Sequence, residues 1–128
     1  MRVSIQAVKV RTVRSEKNDC AVFAIMSAAG VSYDQAHKVL KNLGRVKGLG
    51  TPDSMIIGAL RALGLSPVLY DLCTKSTLSR VLKTHQKGRF IVMTKNHAMG
   101  LRDGMLFDNV QTHGKSYVQR IISLDGGL

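Results

Sequence analysis

The sequence predicts an α+β domain. Helical periodicity is concentrated between residues 19 and 63, β-favouring runs dominate after residue 88, and an Asp103-Gly104 pair sits between two of those runs. A chain of 128 residues suits one domain, 1–128, which buries roughly two thirds of the surface its unfolded form exposes. No repeat, low-complexity tract or long linker divides it.

The elements follow in order. "VSIQAVKV" alternates apolar and polar residues and reads as a short strand or extended arm. From Asp19 to Ala29 the chain is apolar on nearly every side, which predicts a central, buried helix that Gly30 stops. In "SYDQAHKVLKNLG", Ser32 and Gln35 stand at capping-box spacing, Ala36, Val39, Leu40 and Leu43 form an apolar stripe, and Gly44 is the C-cap. In "TPDSMIIGALRALG", Thr51 is the expected N-cap and Pro52 the first helical residue, with Ile56, Leu60 and Leu63 on one face. The basic "RVKGLG" between these helices is too short and irregular for a phosphate-binding loop. "LSPVLYDL" reads as a short strand. "TLSRVLKTHQ" reads as a helix burying Leu78, Val81 and Leu82, and ends at Gly88. "RFIVMTK", "HAMGLR", "MLFDNV" and "SYVQRIISL" are the strands of a C-terminal antiparallel sheet.

Composition narrows the chemistry. Cys20 and Cys73 give no disulfide framework, and neither has a C-x-x-C partner or a histidine at zinc-ligand spacing, so a reducing compartment without structural metal is expected. The N-terminus alternates apolar and charged residues and lacks the continuous apolar core of a signal peptide or membrane span, which points to the cytoplasm and to no membrane partner. The net charge is +11, and residues 72–102 hold no acid while Lys75, Arg80, Lys83, Lys87, Arg89, Lys95 and Arg102 accumulate. Such a balance acts on partners and solubility, not on fold. The basic residues are scattered and the aromatics number six, too few for a base-stacking platform, so nucleic-acid binding is expected to be weak.

Cys20 stands where the polar "EKND" meets the apolar helix. With Asn18 or Asp19 as the cap, it falls in the first turn, where free N–H groups and the macrodipole favour a thiolate and can hold an oxyanion. Asp19 opposes this, since a neighbouring carboxylate raises a thiol's pKa, and a basic partner has to offset it. The second half supplies one. With Asp103 and Gly104 as the two turn residues, Leu101 pairs with Leu106 and Met99 with Asp108, so side chains 97, 99 and 101 share a face with 106, 108 and 110. Asp108 is then the diagonal neighbour of His97. A carboxylate beside an imidazole fixes its tautomer and stabilises the imidazolium, the orienting role in a nucleophile–base–acid triad. A bulge at Gly104 would instead bring in Asn109.

"NDCAVFAI" opening a central helix, "NHAM" on a strand and an acid on the next strand resemble the papain-like cysteine peptidase fold. The resemblance is closest to the small papain-like proteins of bacteriophages and bacteria. "NHAM" is similar to the stretch around the base histidine of papain-type enzymes, and "NDCAVFAI" to the start of the catalytic helix in ovarian-tumour-type deubiquitinases. The resemblance implies Cys20 as nucleophile, His97 as general base, Asp108 as orienting acid, and no cofactor or metal. It spans residues 18 to 108. Papain-type enzymes carry a glutamine six residues before the cysteine to complete the oxyanion hole, where this chain has Arg14. Asn18 or Gln6 then supplies the donor, or backbone amides suffice, or the chain does not hydrolyse. Asn18 is the favoured donor.

The other candidates have plain structural readings. His37, His85 and His113 read as surface residues, Cys73 as an inert core residue, and Asp34, Asp53, Asp71 and Asp103 as helix-start or turn residues. The expected activity is hydrolysis of a peptide or isopeptide bond, with acyl transfer as a variant. The basic surface implies an acidic protein, peptide or conjugated modifier as substrate. The alternative from another class is a non-catalytic basic protein on the same scaffold that grips nucleic acid or an acidic host protein.

Overall fold

The apolar stretch after Asp19 forms α1 (Cys20–Ala29), and Gly30 ends it in the left-handed conformation, φ 75°, with its N–H donated to the Met26 carbonyl. The computed structural model describes residues 5–7, 19–46, 50–108 and 112–127, and the backbone alone at 5–7 and 73–75. α2 (Tyr33–Asn42) starts as its sequence requires, the Ser32 hydroxyl accepting from the Gln35 N–H at 3.1 Å. Ala36 and Leu40 are fully buried and Val39 half-buried, but Leu43 is 44% exposed: it follows the last helical residue, and Gly44 is one position past this cap.

α3 (Asp53–Ala62) begins one residue later than expected. Pro52, with φ −64° and ψ 153°, is itself the N-cap. Thr51 does not cap, because its hydroxyl accepts from Arg45 Nε at 3.0 Å. Arg45 is itself buried, so this contact pins the loop ahead of α3 to the end of α2. α4 (Leu78–Thr84) is capped by Thr77, whose hydroxyl accepts from the Arg80 N–H, and it buries Leu78, Val81 and Leu82 as expected.

Six strands form one sheet in the order β1-β5-β4-β3-β6-β2, from β1 (Ile5–Ala7), β2 (Val68–Thr77), β3 (Arg89–Thr94), β4 (His97–Arg102), β5 (Met105–Asp108) and β6 (Tyr117–Ser123). β2 runs past the polar residues at which a sequence reading stops it, because β6 provides a partner there, with a register shift between Asp71 and Ser76. The sheet is not wholly antiparallel: β1 pairs in parallel with β5. The chain between them is long enough for the crossover that parallel pairing needs, whereas hairpins impose the antiparallel sense on β3, β4 and β5.

Both faces of the sheet are covered. Ile91, Met93, Ala98, Ile122 and Leu124 pack with α1, α2 and α3 on one side. Phe90, Val92, Met99, Leu101, Leu106 and Ile121 pack with α4 on the other. This is why β3 reads as an uninterrupted apolar run rather than an alternating one. Among the described residues, no helix is long and apolar enough to cross a membrane.

Candidate active site

The site is built where α1 begins and β4 begins. Two tight turns set β4. Residues 95 and 96 link β3 to β4, with Thr94 paired to His97 and Asn96 at φ 62°. Asp103 and Gly104, both at positive φ (49° and 82°), link β4 to β5 in the twist that two-residue hairpins favour. The second turn gives the register expected of it: Arg102 pairs with Met105, Leu101 with Leu106 and Gly100 with Phe107.

α1 lies directly on β4, and Gly100 permits the approach. A Cβ at Gly100 would stand 2.1 Å from Ser27 Oγ and 3.1 Å from both the Ala24 carbonyl oxygen and the Ala28 nitrogen. Two rises then place the thiol. Seven residues of helix from Ser27 back to Cys20 span about 10.5 Å at ~1.5 Å each. Three residues of strand from Gly100 back to His97 span about 10 Å at ~3.3 Å each. With Ser27 seated on Gly100, Cys20 arrives at His97 and Ala98.

His97 opens β4 at the end of the sheet and is half-buried, so its ring is not confined to one face. Its Nε2 lies 2.6 Å from Asp108 Oδ1. Asp108 is 1% exposed, and its other oxygen accepts from the Thr112 N–H at 3.0 Å. With Nε2 committed to the carboxylate, Nδ1 is the nitrogen available to the thiol. His97 is pushed up to about 9, first by the hydrogen bond to Asp108 and then by that to Cys20, against the opposing effect of burial. Burial pushes the Cys20 thiol up, but the hydrogen bond from His97, the Ala98 N–H, the His97 charge and the Ala21 N–H outweigh it, and the net direction is down. The arrangement favours a thiolate–imidazolium pair.

Asp19 does not act as the expected antagonist. It precedes α1 without a side-chain capping bond, and its carboxylate is turned away to α2, where Oδ2 accepts from the Tyr33 hydroxyl at 2.9 Å. The groups that shift the Cys20 thiol do not include it. Tyr33 is held in turn by Phe23, ring centroids 5.4 Å apart, and by His37 at 5.9 Å.

Cys20 and His97 line a cleft of 510 Å³. Thr51, Asp53, Thr94, Asn96 and Arg120 contribute polar groups to the lining, and Ile56 and Met93 contribute apolar surface. A cleft of this size, lined by apolar and polar residues together, is of the kind that holds small ligands or a short stretch of peptide. Cys20 is the first residue of α1, so its thiol stands at a helix N-terminus, where first-turn N–H groups can hold a developing oxyanion.

The structure therefore brings Cys20, His97 and Asp108 together. Asn18, the expected oxyanion donor, lies outside the described residues, as do Arg14 and Asn109 and the side chains of Gln6 and Cys73. His37, His85 and His113 are not among the residues lining the cleft. Asp53 and Arg120 are, and the sequence reading gave neither a functional role: Asp53 is explained as a helix-start acid, and Arg120 is one basic residue among many. Among the described residues, no group of three or more His, Cys, Asp and Glu is placed to hold a metal ion. Comparisons of the chain with protein-family models, curated proteins and solved structures produced no match.

Proposed function

We propose that this chain is a papain-like cysteine hydrolase that cleaves an amide bond in a protein or peptide, isopeptides included. The observation that carries the reading is the juxtaposition, in one cleft, of the Cys20 thiol at the first residue of α1 with His97, whose Nε2 lies 2.6 Å from the buried carboxylate of Asp108. A histidine bound only for structural reasons needs neither a thiol on its free side nor an opening beside it.

The chemistry follows from that order. The Cys20 thiolate attacks the substrate carbonyl carbon, and the oxyanion that forms is held by first-turn N–H groups of α1. The tetrahedral intermediate collapses as His97 gives its proton to the leaving amine, producing a thioester on Cys20 and neutral imidazole. His97 then takes a proton from water, the hydroxide attacks the thioester, and the departing thiolate restores the ion pair. Asp108 keeps the ring in one orientation and stabilises its cationic form in both stages.

Thiol reactivity tests this directly. Cys20 should be alkylated by iodoacetamide at pH 6, where an ordinary thiol with a pKa of ~8.5 is almost wholly protonated, and His97→Ala should remove that reactivity. Peptide mapping of the labelled chain distinguishes Cys20 from Cys73. Equal labelling of the two cysteines, or labelling insensitive to His97, would overturn the reading.

A further inference from the structure

The cleft contains a polar pair that the thiol chemistry does not use. Asp53, the first residue of α3, and Arg120, on β6, meet in it with Arg120 Nε 2.6 Å from Asp53 Oδ2. This is an ion pair by distance alone, because Nε is buried and makes no aligned hydrogen bond. The other contact of the guanidinium is long, 3.4 Å from Nη1 to Gln119 Oε1. Among the described residues neither group has a further partner, so Arg120 Nη2 and Asp53 Oδ1 are uncommitted.

A guanidinium offers only donors and a carboxylate only acceptors. Side by side they present both, and three kinds of substrate group meet them differently. A carboxylate would gain Arg120 but confront Asp53. An ammonium would gain Asp53 but take it from Arg120, leaving a part-buried guanidinium without a counter-charge. An uncharged carboxamide gives its carbonyl to Arg120 and its N–H to Asp53 and leaves the pair intact.

Building on the hydrolase reading, we propose that Asp53 and Arg120 are the specificity pair of this cleft and recognise an uncharged carboxamide of the substrate, rejecting an acidic side chain there. The carboxamide is either the peptide backbone or a glutamine or asparagine side chain. The basic exterior can still attract an acidic partner, but the group seated beside the thiol is neutral. Polar sites of this kind discriminate strongly, because a wrong ligand leaves their groups unpaired.

The test is equilibrium binding of fluorescent peptides to the full chain carrying Cys20→Ala, with Gln, Ala, Glu or Lys placed in turn at each position of a short peptide. At one position Glu should bind at least ~10-fold more weakly than Gln, and Asp53→Asn should abolish that difference. If the side chain is read, Ala at that position binds as poorly as Glu. If the backbone is read, Ala matches Gln, and N-methylation of the adjacent amide weakens both. Tightest binding of Glu or Lys, equal effects of Asp53→Asn on all peptides, or no binding by any peptide would overturn the proposal. Since the readout needs no thiol, it can fail while Cys20 proves reactive, or succeed while Cys20 does not.

Discussion

At the residue scale the decisive contact is the one between His97 and Asp108, because it sets both the orientation and the charge of the imidazole. Asp108→Ala should lower turnover of a peptide substrate by roughly 10²-fold or more with the fold retained, and Asn109→Ala by less than ~10-fold, equivalent to ~1.4 kcal/mol in the barrier. Greater damage from the Asn109 change would reassign the orienting role. The same contact makes stability depend on pH. His97 is raised from 6.5 to about 9 on folding, so its contribution is fully present below pH 6.5 and is lost as pH rises through 9. Cys20, held down, titrates in the opposite sense and is best removed from the measurement. In a Cys20→Ala background, the difference in unfolding free energy between Asp108 and Asp108→Asn chains should be widest below pH 6.5 and shrink as pH rises above it. A gap that widens with pH would contradict the cationic state of His97.

At the element scale the site depends on how closely α1 approaches β4. Gly100 is required for its missing Cβ and not for an unusual backbone angle, since the added atom would meet helix backbone as well as Ser27 Oγ. Gly100→Ala should force α1 outward and cost about 1–3 kcal/mol in stability, the range for overpacking a close-packed contact. It should also lower the rate of Cys20 alkylation at pH 6 by about tenfold or more, because a thiol displaced from His97 returns toward its ordinary pKa. Denaturant titration and labelling rates measure the two effects separately. A stability loss with unchanged labelling would mean that some other contact sets the depth of α1.

At the scale of the whole molecule, several carboxylates have partners while many of the lysines and arginines stand exposed. Asp19, Asp53 and Asp108 are turned to Tyr33, Arg120 and His97, and Asp125 pairs with Arg89. Lys38, Lys41, Arg80, Lys83, Lys87 and Lys95 are exposed. Of these carboxylates Asp53 lines the cleft and Asp108 stands behind His97, while the named cations of this +11 chain face solvent. Cations spread in this way attract any polyanion without reading it. Binding of a mixed-sequence duplex should be weak, indifferent to sequence and lost by about 0.15 M salt, given that six phosphate contacts imply a fall of ~10³ between ~50 and ~200 mM. Tight binding of one defined nucleic acid that survives such salt would favour a binding function over catalysis.

What the sequence determined by itself is local. The start of α1 and its stop at Gly30, the Ser32 cap of α2, the Asp103-Gly104 hairpin and the shared face of His97 and Asp108 all follow from interactions within a few residues or across one tight turn. Two local readings failed by a single position, at Pro52 and Gly44, because a helix end is decided by whichever hydrogen bond wins, and Arg45 took the Thr51 hydroxyl. The parallel seating of β1 on β5, the seating of Ser27 on Gly100, the turning of Asp19 to Tyr33 and the meeting of Asp53 with Arg120 were decided only by tertiary structure. Each joins residues far apart in the chain, and no periodicity or spacing records such a contact, because it exists only once separate elements have packed.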